Sequence, residues 1–275
     1  MAGMTQSSTQ QGRAVVAIAV VVCLLAAYGL YLAPASNSVG DIYRSVSPEN
    51  APFAAGTSGQ LSNQLQTAAG QQLGIGLRNG ANLRIDELSQ AALHSDEVVS
   101  LSHGRLYWDA GVAASGRQMT VTTEQGQLRA RDAQLEVTLT GASLQVRLRS
   151  GTAVFESSID ADTTALLPGT TLLHDGEAFQ LVDSAGDAAS WAWTQGLAPT
   201  PEPSDVNALE YLEWAAHETG RQLHFANGAS AQVARNTALD SAMDMTTPEL
   251  SLKWMRANSE FGSKVHYSDS AITVR

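Results

Sequence analysis

A single cysteine, Cys23, stands in the whole 275-residue chain, so no disulfide framework exists and the folded part must cohere by burying apolar surface. Positive charge is scarce too. Sixteen Lys and Arg face 27 Asp and Glu, a formal net charge of −11 that argues against nucleic-acid binding, because a polyanion needs a basic face. No Lys or Arg run lies beside the apolar N-terminal stretch to hold anionic lipid. Catalytic spacings are missing as well. Thr57-Ser58-Gly59 is not a nucleophile elbow, and His217-Glu218 lacks the second His of a zinc helix, leaving His217 with Glu213 as a solvated i,i+4 pair. Gly74-Ile75-Gly76 followed by Gly80 opens no helix and reads as a turn region, not a phosphate loop. Asp160, Asp162, Asp183 and Asp187 read as solvated loop acids, not calcium ligands. The chain is expected not to be an enzyme and to carry no cofactor or metal.

What the chain does have is one long apolar run. Residues 14–33, from Ala14 through Cys23 to Ala33, read AVVAIAVVVCLLAAYGLYLA and contain no charge and no Pro. About 20 residues at roughly 1.5 Å each match the ~30 Å of a bilayer core, and a helix satisfies its own backbone there. Tyr28 and Tyr31 suit the headgroup layer, and Pro34 marks the exit. Arg13 and the terminal amine place residues 1–13 in the cytoplasm and everything after the span in the periplasm of a bacterial inner membrane. The rival reading is a cleaved signal peptide ending at Ala33-Pro34-Ala35, which exports the remainder equally. Cys23 follows Val20, Val21 and Val22, not the small residues of a lipidation site, and reads as an inert buried thiol.

Residues 34–59 are rich in Pro, Ser, Gly and Ala and read as a juxtamembrane linker, with a first strand possible around 42–46. Residues 60–189 change to short alternating runs. Leu73, Ile75 and Leu77 precede the hairpin signal Asn79-Gly80, and Leu83 and Ile85 follow it. Val99, Leu101, Leu106 and Trp108 flank His103-Gly104; Met119 and Val121 precede Gln125-Gly126; Leu135, Val137, Leu139, Leu144, Val146 and Leu148 flank Thr140-Gly141. A period of two sends one face of each run to a core and the other to water. Turn signals every ~8 to 12 residues give an all-β domain, solenoid-like or sandwich-like.

Residues 190–275 read as a small α+β domain. Trp191-Ala192-Trp193 leads to a three-proline connector at 198–203. Asp205 is positioned to cap a helix over 206–219, ended by Gly220, and a strand is expected at 221–226 with a weaker one at 239–245. Thr247-Pro248-Glu249 starts a second helix that should run toward Gly262, and 265–267 with 272–274 form a closing hairpin. Trp191, Trp193, Tyr211 and Trp214 admit two readings: a seam where the small domain packs on the β domain, or a partner-docking patch.

Several motifs carry a family resemblance. LRNGANLRIDELSQ with VVSLSHGRLYWDAG, MTVTTEQGQLRARDAQLEV, VRLRSGTAVF and LLPGTTLLHDG resemble the strand pairs of FecR-family periplasmic proteins. LEYLEWAAHETGRQLHFA is similar to the family segment that opens a short domain also found at the N-termini of secretins and TonB-dependent transporters. Two departures stand out. The family's Gly-Thr pair is matched by Asp132 and Ala133, and the cytoplasmic anti-sigma domain is replaced by residues 1–13, too few to bury a core. The resemblance implies a single transmembrane helix, an all-β domain and a small α+β domain. It implies a signalling protein of the iron–siderophore sensing kind, contacting a periplasmic protein partner such as an outer-membrane transporter signalling domain, and acting on a sigma/anti-sigma system with a separate anti-sigma subunit. The competing reading is an envelope scaffold or periplasmic ligand-binding protein with no role in sigma-factor control.

Overall fold

Fifteen strands and four α-helices occupy the computed structural model, which describes residues 39–47, 64–112, 116–160, 162–175, 177–184, 188–243 and 246–275. The apolar run with Ala14, Cys23 and Ala33, and most of the linker, lie outside the described residues. Among those described, no helix is long and apolar enough to cross a membrane. Residues 39–275 form one unit.

The first twelve strands build the β domain: β1 (Gly40–Val46), β2 (Gln64–Gln66), β3 (Gln72–Leu77), β4 (Asn82–Ile85), β5 (Gln90–Ser95), β6 (Val98–Asp109), β7 (Gln118–Thr123), β8 (Gly126–Thr140), β9 (Ser143–Ser157), β10 (Thr163–Leu166), β11 (Thr170–His174) and β12 (Phe179–Asp183). Three of them are long and change partners along their length. The start of β6 pairs with β5 and β7, while its second half pairs with β4 and β8. The start of β9 pairs with β11, and its end with β10. The sheet therefore folds over on itself around a single core that takes Leu65, Ile75, Leu83, Leu106, Trp108, Leu135, Val146 and Phe155 from both halves. Each fully buried Leu or Ile there contributes roughly 1.5–3 kcal/mol of burial.

The folds in β8 and β9 meet. Asp132 has φ +46° at the register shift in β8, and a Cβ on Gly151 (φ +82°) would collide with the Asp132 carbonyl oxygen. Asp tolerates this left-handed backbone better than most residues. Its carboxylate also accepts the N–H groups of Gly116 at 2.9 Å and Arg117 at 2.8 Å. The Asp132 side chain thus secures the neighbouring turn.

The C-terminal module follows a 3-10 turn (Ala188–Trp191) and the one-turn helix α1 (Ala192–Gln195). Helices α2 (Ala208–Thr219), α3 (Gly228–Asn236) and α4 (Pro248–Asn258) accompany a three-stranded sheet in the order β13 (Gln222–Phe225), β15 (Ala271–Val274), β14 (Val265–Tyr267). Tyr211, Leu212, Trp214, Leu252, Met255, Phe261, Ile272 and Val274 form its core.

Four sequence expectations need correction here. Asn207, not Asp205, caps α2: its side chain accepts the Glu210 N–H and Glu210 answers on the Asn207 N–H, a reciprocal capping box that Asp205 is too early to make. Residues 239–245 form no strand among the described residues, and the only pairing nearby is an isolated bridge between Asn207 and Ala238. Helix α3 went unread because its apolar content is small, with Ser230 and Ala234 as its buried residues. Helix α4 stops at Asn258, where the Ser259 N–H closes on the Met255 carbonyl, and a 3-10 turn (Phe261–Lys264) carries the chain to β14.

Candidate functional site

The alternating strands place two sets of side chains on opposite faces, and the second set does not reach water as the period of two suggests. Leu83, Leu106, Leu135 and Val146 enter the core, while Arg84, Tyr107, Glu136 and Arg147 line up as direct cross-strand neighbours on the other face. Arg84, Tyr107, Glu136 and Arg147 are all buried, because the C-terminal module covers them. A charged plane inside a protein is tolerable only where each group finds a partner. These groups do.

Trp193 donates its indole N–H to Glu136 Oε2 at 2.6 Å, and Arg147 holds Glu136 Oε1 at 2.5 Å while donating to the Ser190 carbonyl at 3.1 Å. Arg84 donates Nη1 to the Thr194 carbonyl at 2.9 Å and Nη2 to Glu218 at 2.8 Å. One step along the face, the His217 imidazole lies 2.8 and 3.0 Å from the two oxygens of Asp109, and Gln134 donates to the His217 carbonyl at 3.1 Å. Tyr43 of β1 donates its hydroxyl to the Leu197 carbonyl at 2.8 Å. A Cβ at Gly74 would run into the Tyr43 ring, so the small residues of β3 make room for that ring. The C-terminal end of α2 and the Trp191–Leu197 segment are therefore fastened to the strands from five sides.

Burial sets the protonation states. Desolvation alone would lower the His217 imidazole, but the hydrogen bond and charge of Asp109 outweigh it and raise the imidazole above its ordinary range. Burial would likewise raise Asp109, yet His217, Arg84 and the Gly111 N–H hold its carboxyl below the ordinary range. Glu218 is raised, by burial first and by the Asp109 charge second, with Arg84 opposing. Burial works to lower Arg84, and the Glu218 charge overrides it, so the guanidinium stays charged.

The four aromatic residues singled out in the sequence fall in two places. Trp191 and Trp193 lie along the seam: the Trp191 ring meets Tyr107 edge-on at 5.9 Å between centroids, and Arg105 stacks over Trp193 at 4.7 Å. Tyr211 and Trp214 sit in the core of the C-terminal module, with the Trp214 indole donating to the Pro199 carbonyl at 2.9 Å. The reading of His217 with Glu213 as a solvated pair is corrected, since the imidazole turns inward to Asp109. Arg84, Asp109 and Glu136 carry no motif in the sequence, and Glu218 stands out there only beside His217; the available signal was a charged residue on the second face of four strands that neighbour one another in the sheet, β4, β6, β8 and β9. Asp160 accepts the Asp162 N–H at 3.2 Å, and among the described residues no group of three or more potential ligands gathers for a metal. Asp187 lies outside the described residues.

The family model described as FecR protein matches residues 63–154. That stretch is similar to FecR domains. The matched stretch runs from β2 into β9 and ends at Val154, before the C-terminal module. No curated protein matches the chain. Two crystal structures of a proposed anti-sigma factor from Parabacteroides distasonis ATCC 8503 resemble it, one at 12% identity over 78% of this chain and 99% of the other with a TM-score of 0.41. The second, at 11% identity over 77% and 97%, has a TM-score of 0.40. Likeness at that level adds nothing to the family match.

Proposed function

We propose that this chain is a regulatory protein of a sigma/anti-sigma system, anchored in a bacterial inner membrane by residues 14–33 with residues 34–275 in the periplasm. The observation that carries this reading is the similarity of residues 63–154 to FecR domains. The C-terminal module is the part that meets the partner. Its sheet supports that role: β13 pairs with β15 and β14 pairs with β15, so both outer strands lack a second neighbour among the described residues. A partner strand adds to such an edge through main-chain hydrogen bonds. The partner is a protein, of which the signalling domain of an outer-membrane transporter is the leading example. In this reading a separate anti-sigma subunit holds the sigma factor.

Two experiments test this. A reporter fused after residue 33 is expected to read as periplasmic, and a cytoplasmic signal overturns the topology. Capture with the fragment 34–275 is expected to retrieve a transporter signalling domain or an anti-sigma subunit. Retrieval of peptidoglycan or lipid components in their place favours an envelope scaffold.

A further inference from the structure

A cleft of about 580 Å³ opens between the outer face of the three-stranded sheet and the β9–β11 side of the β domain. One wall carries Arg147 and Arg149, whose guanidinium carbons lie 4.7 and 4.3 Å from the Trp191 ring centroid. The facing wall carries the exposed side chains of Gln222 and His224 on β13. The two arginines differ. Arg147 is neutralised by Glu136 at 2.5 Å. Arg149 is half-buried, spends one N–H on the Glu218 carbonyl at 3.1 Å, and has no ion-pair partner among the described residues. In a chain of net charge −11, an uncompensated guanidinium facing an open cleft is a place for an anion.

We propose that this cleft binds a carboxylate, either of a free small acid or of an acidic side chain on a peptide. The planar fork of Arg149 suits two carboxylate oxygens, and the Gln222 amide and His224 imidazole, which make no other hydrogen bond among the described residues, supply further N–H groups. Asp269 at the rim opposes a dianion, which favours a carboxylate over a phosphate. This site lies against the β13 edge, while the β14 edge, at the other side of the sheet, stays clear of it.

The test uses the full chain in detergent micelles and saturation-transfer NMR with three probes: N-acetylglycinate, the blocked peptide Ac-Gly-Ser-Glu-Ser-Gly-NH2, and inorganic phosphate. At least one carboxylate probe is expected to bind more tightly than phosphate. Response to the free acid alone, or to the peptide alone, tells which source the cleft accepts, and both support the proposal. Arg149→Gln is expected to weaken binding at least tenfold. Because Arg149 also touches the seam, Gln222→Glu provides the cleaner arm: it sits on an exposed face, adds a like charge to the cleft, and is expected to weaken binding at least tenfold with an unchanged melting curve. Absence of binding by both carboxylates, tighter binding of phosphate, or full binding in Gln222→Glu overturns the proposal. Partner capture is scored separately with the unsubstituted fragment 34–275, so failure of the small probes to bind leaves the proposed function standing.

Discussion

Arg84 on β4 and Glu218 on α2, distant in sequence, meet at 2.8 Å with 0% and 1% of their surfaces exposed. The pair joins the β domain to the C-terminal module at its most enclosed point. Breaking such a pair from one side strands a charge without water. Glu218→Ala is expected to cost about 3–5 kcal/mol, whereas Arg84→Met with Glu218→Leu together recovers most of that loss. Urea unfolding of both variants against the parent checks it, and equal losses in the single and double variants would refute the account.

Stability should have a rounded pH profile. Asp109, held low, contributes stability that is present above about pH 4, its unfolded value, and lost as pH falls through its lower folded value. His217, held high, contributes stability that is complete below about pH 6.5 and lost as pH rises through its folded value. Glu218, raised in the fold, contributes stability that is complete below about pH 4.5 and lost as pH rises from there through its folded value. Melting temperature measured from pH 3 to pH 9 is expected to peak between those limits, and His217→Gln to flatten the descent above neutrality.

Trp193 and Trp214 separate the seam from the module's interior. Trp193→Phe keeps the ring and loses the N–H that serves the buried Glu136, at an expected cost of about 1.5–3 kcal/mol. Trp214→Ala empties part of the small core and is expected to cost about 3–5 kcal/mol. Proteolysis of the second variant should begin within residues 199–275, and a fully folded Trp214→Ala variant that fails only in partner capture would mark the residue as a contact instead.

Asp132 predicts an ordering of variants. Asp132→Ala keeps the unfavourable positive φ and loses both N–H contacts to Gly116 and Arg117, so it is expected to cost about 1–3 kcal/mol. Asp132→Gly loses the same contacts but relieves the backbone, and should cost less. Thermal melts of the two decide the order.

Much of the architecture was legible because local chemistry and fold agree. Leu83 and Ile85, Leu106 and Trp108, Leu135 and Val137 announce strands by their period, and Thr247-Pro248-Glu249 announces a helix start that the structure keeps, with Thr247 accepting the Leu250 N–H. The membrane run was equally plain as a pattern, although Ala14–Ala33 lies outside the described residues. The ionic part of the seam was not legible, although Trp191 and Trp193 offered its aromatic part. A period of two says that Arg84, Asp109 and Glu136 leave the core; it does not say what they meet, and only the docking of α2 decides that. Helix α3 was hidden for the opposite reason, since Gly228, Ser230 and Gln232 give a periodic method little to detect. Asp132 was flagged as a departure from the family, but its φ could not be read from its neighbours.

The strand face under the cover is mostly ionic, with Arg84, Glu136 and Arg147 beside Tyr107, and the Trp191 and Trp193 rings belong to the cover. Peeling the C-terminal module away would therefore present the solvent with a wettable plank, ready to hydrate and be covered again, and not with a sticky one that clumps with its neighbours. A part attached in that way is suited to coming off and going back on.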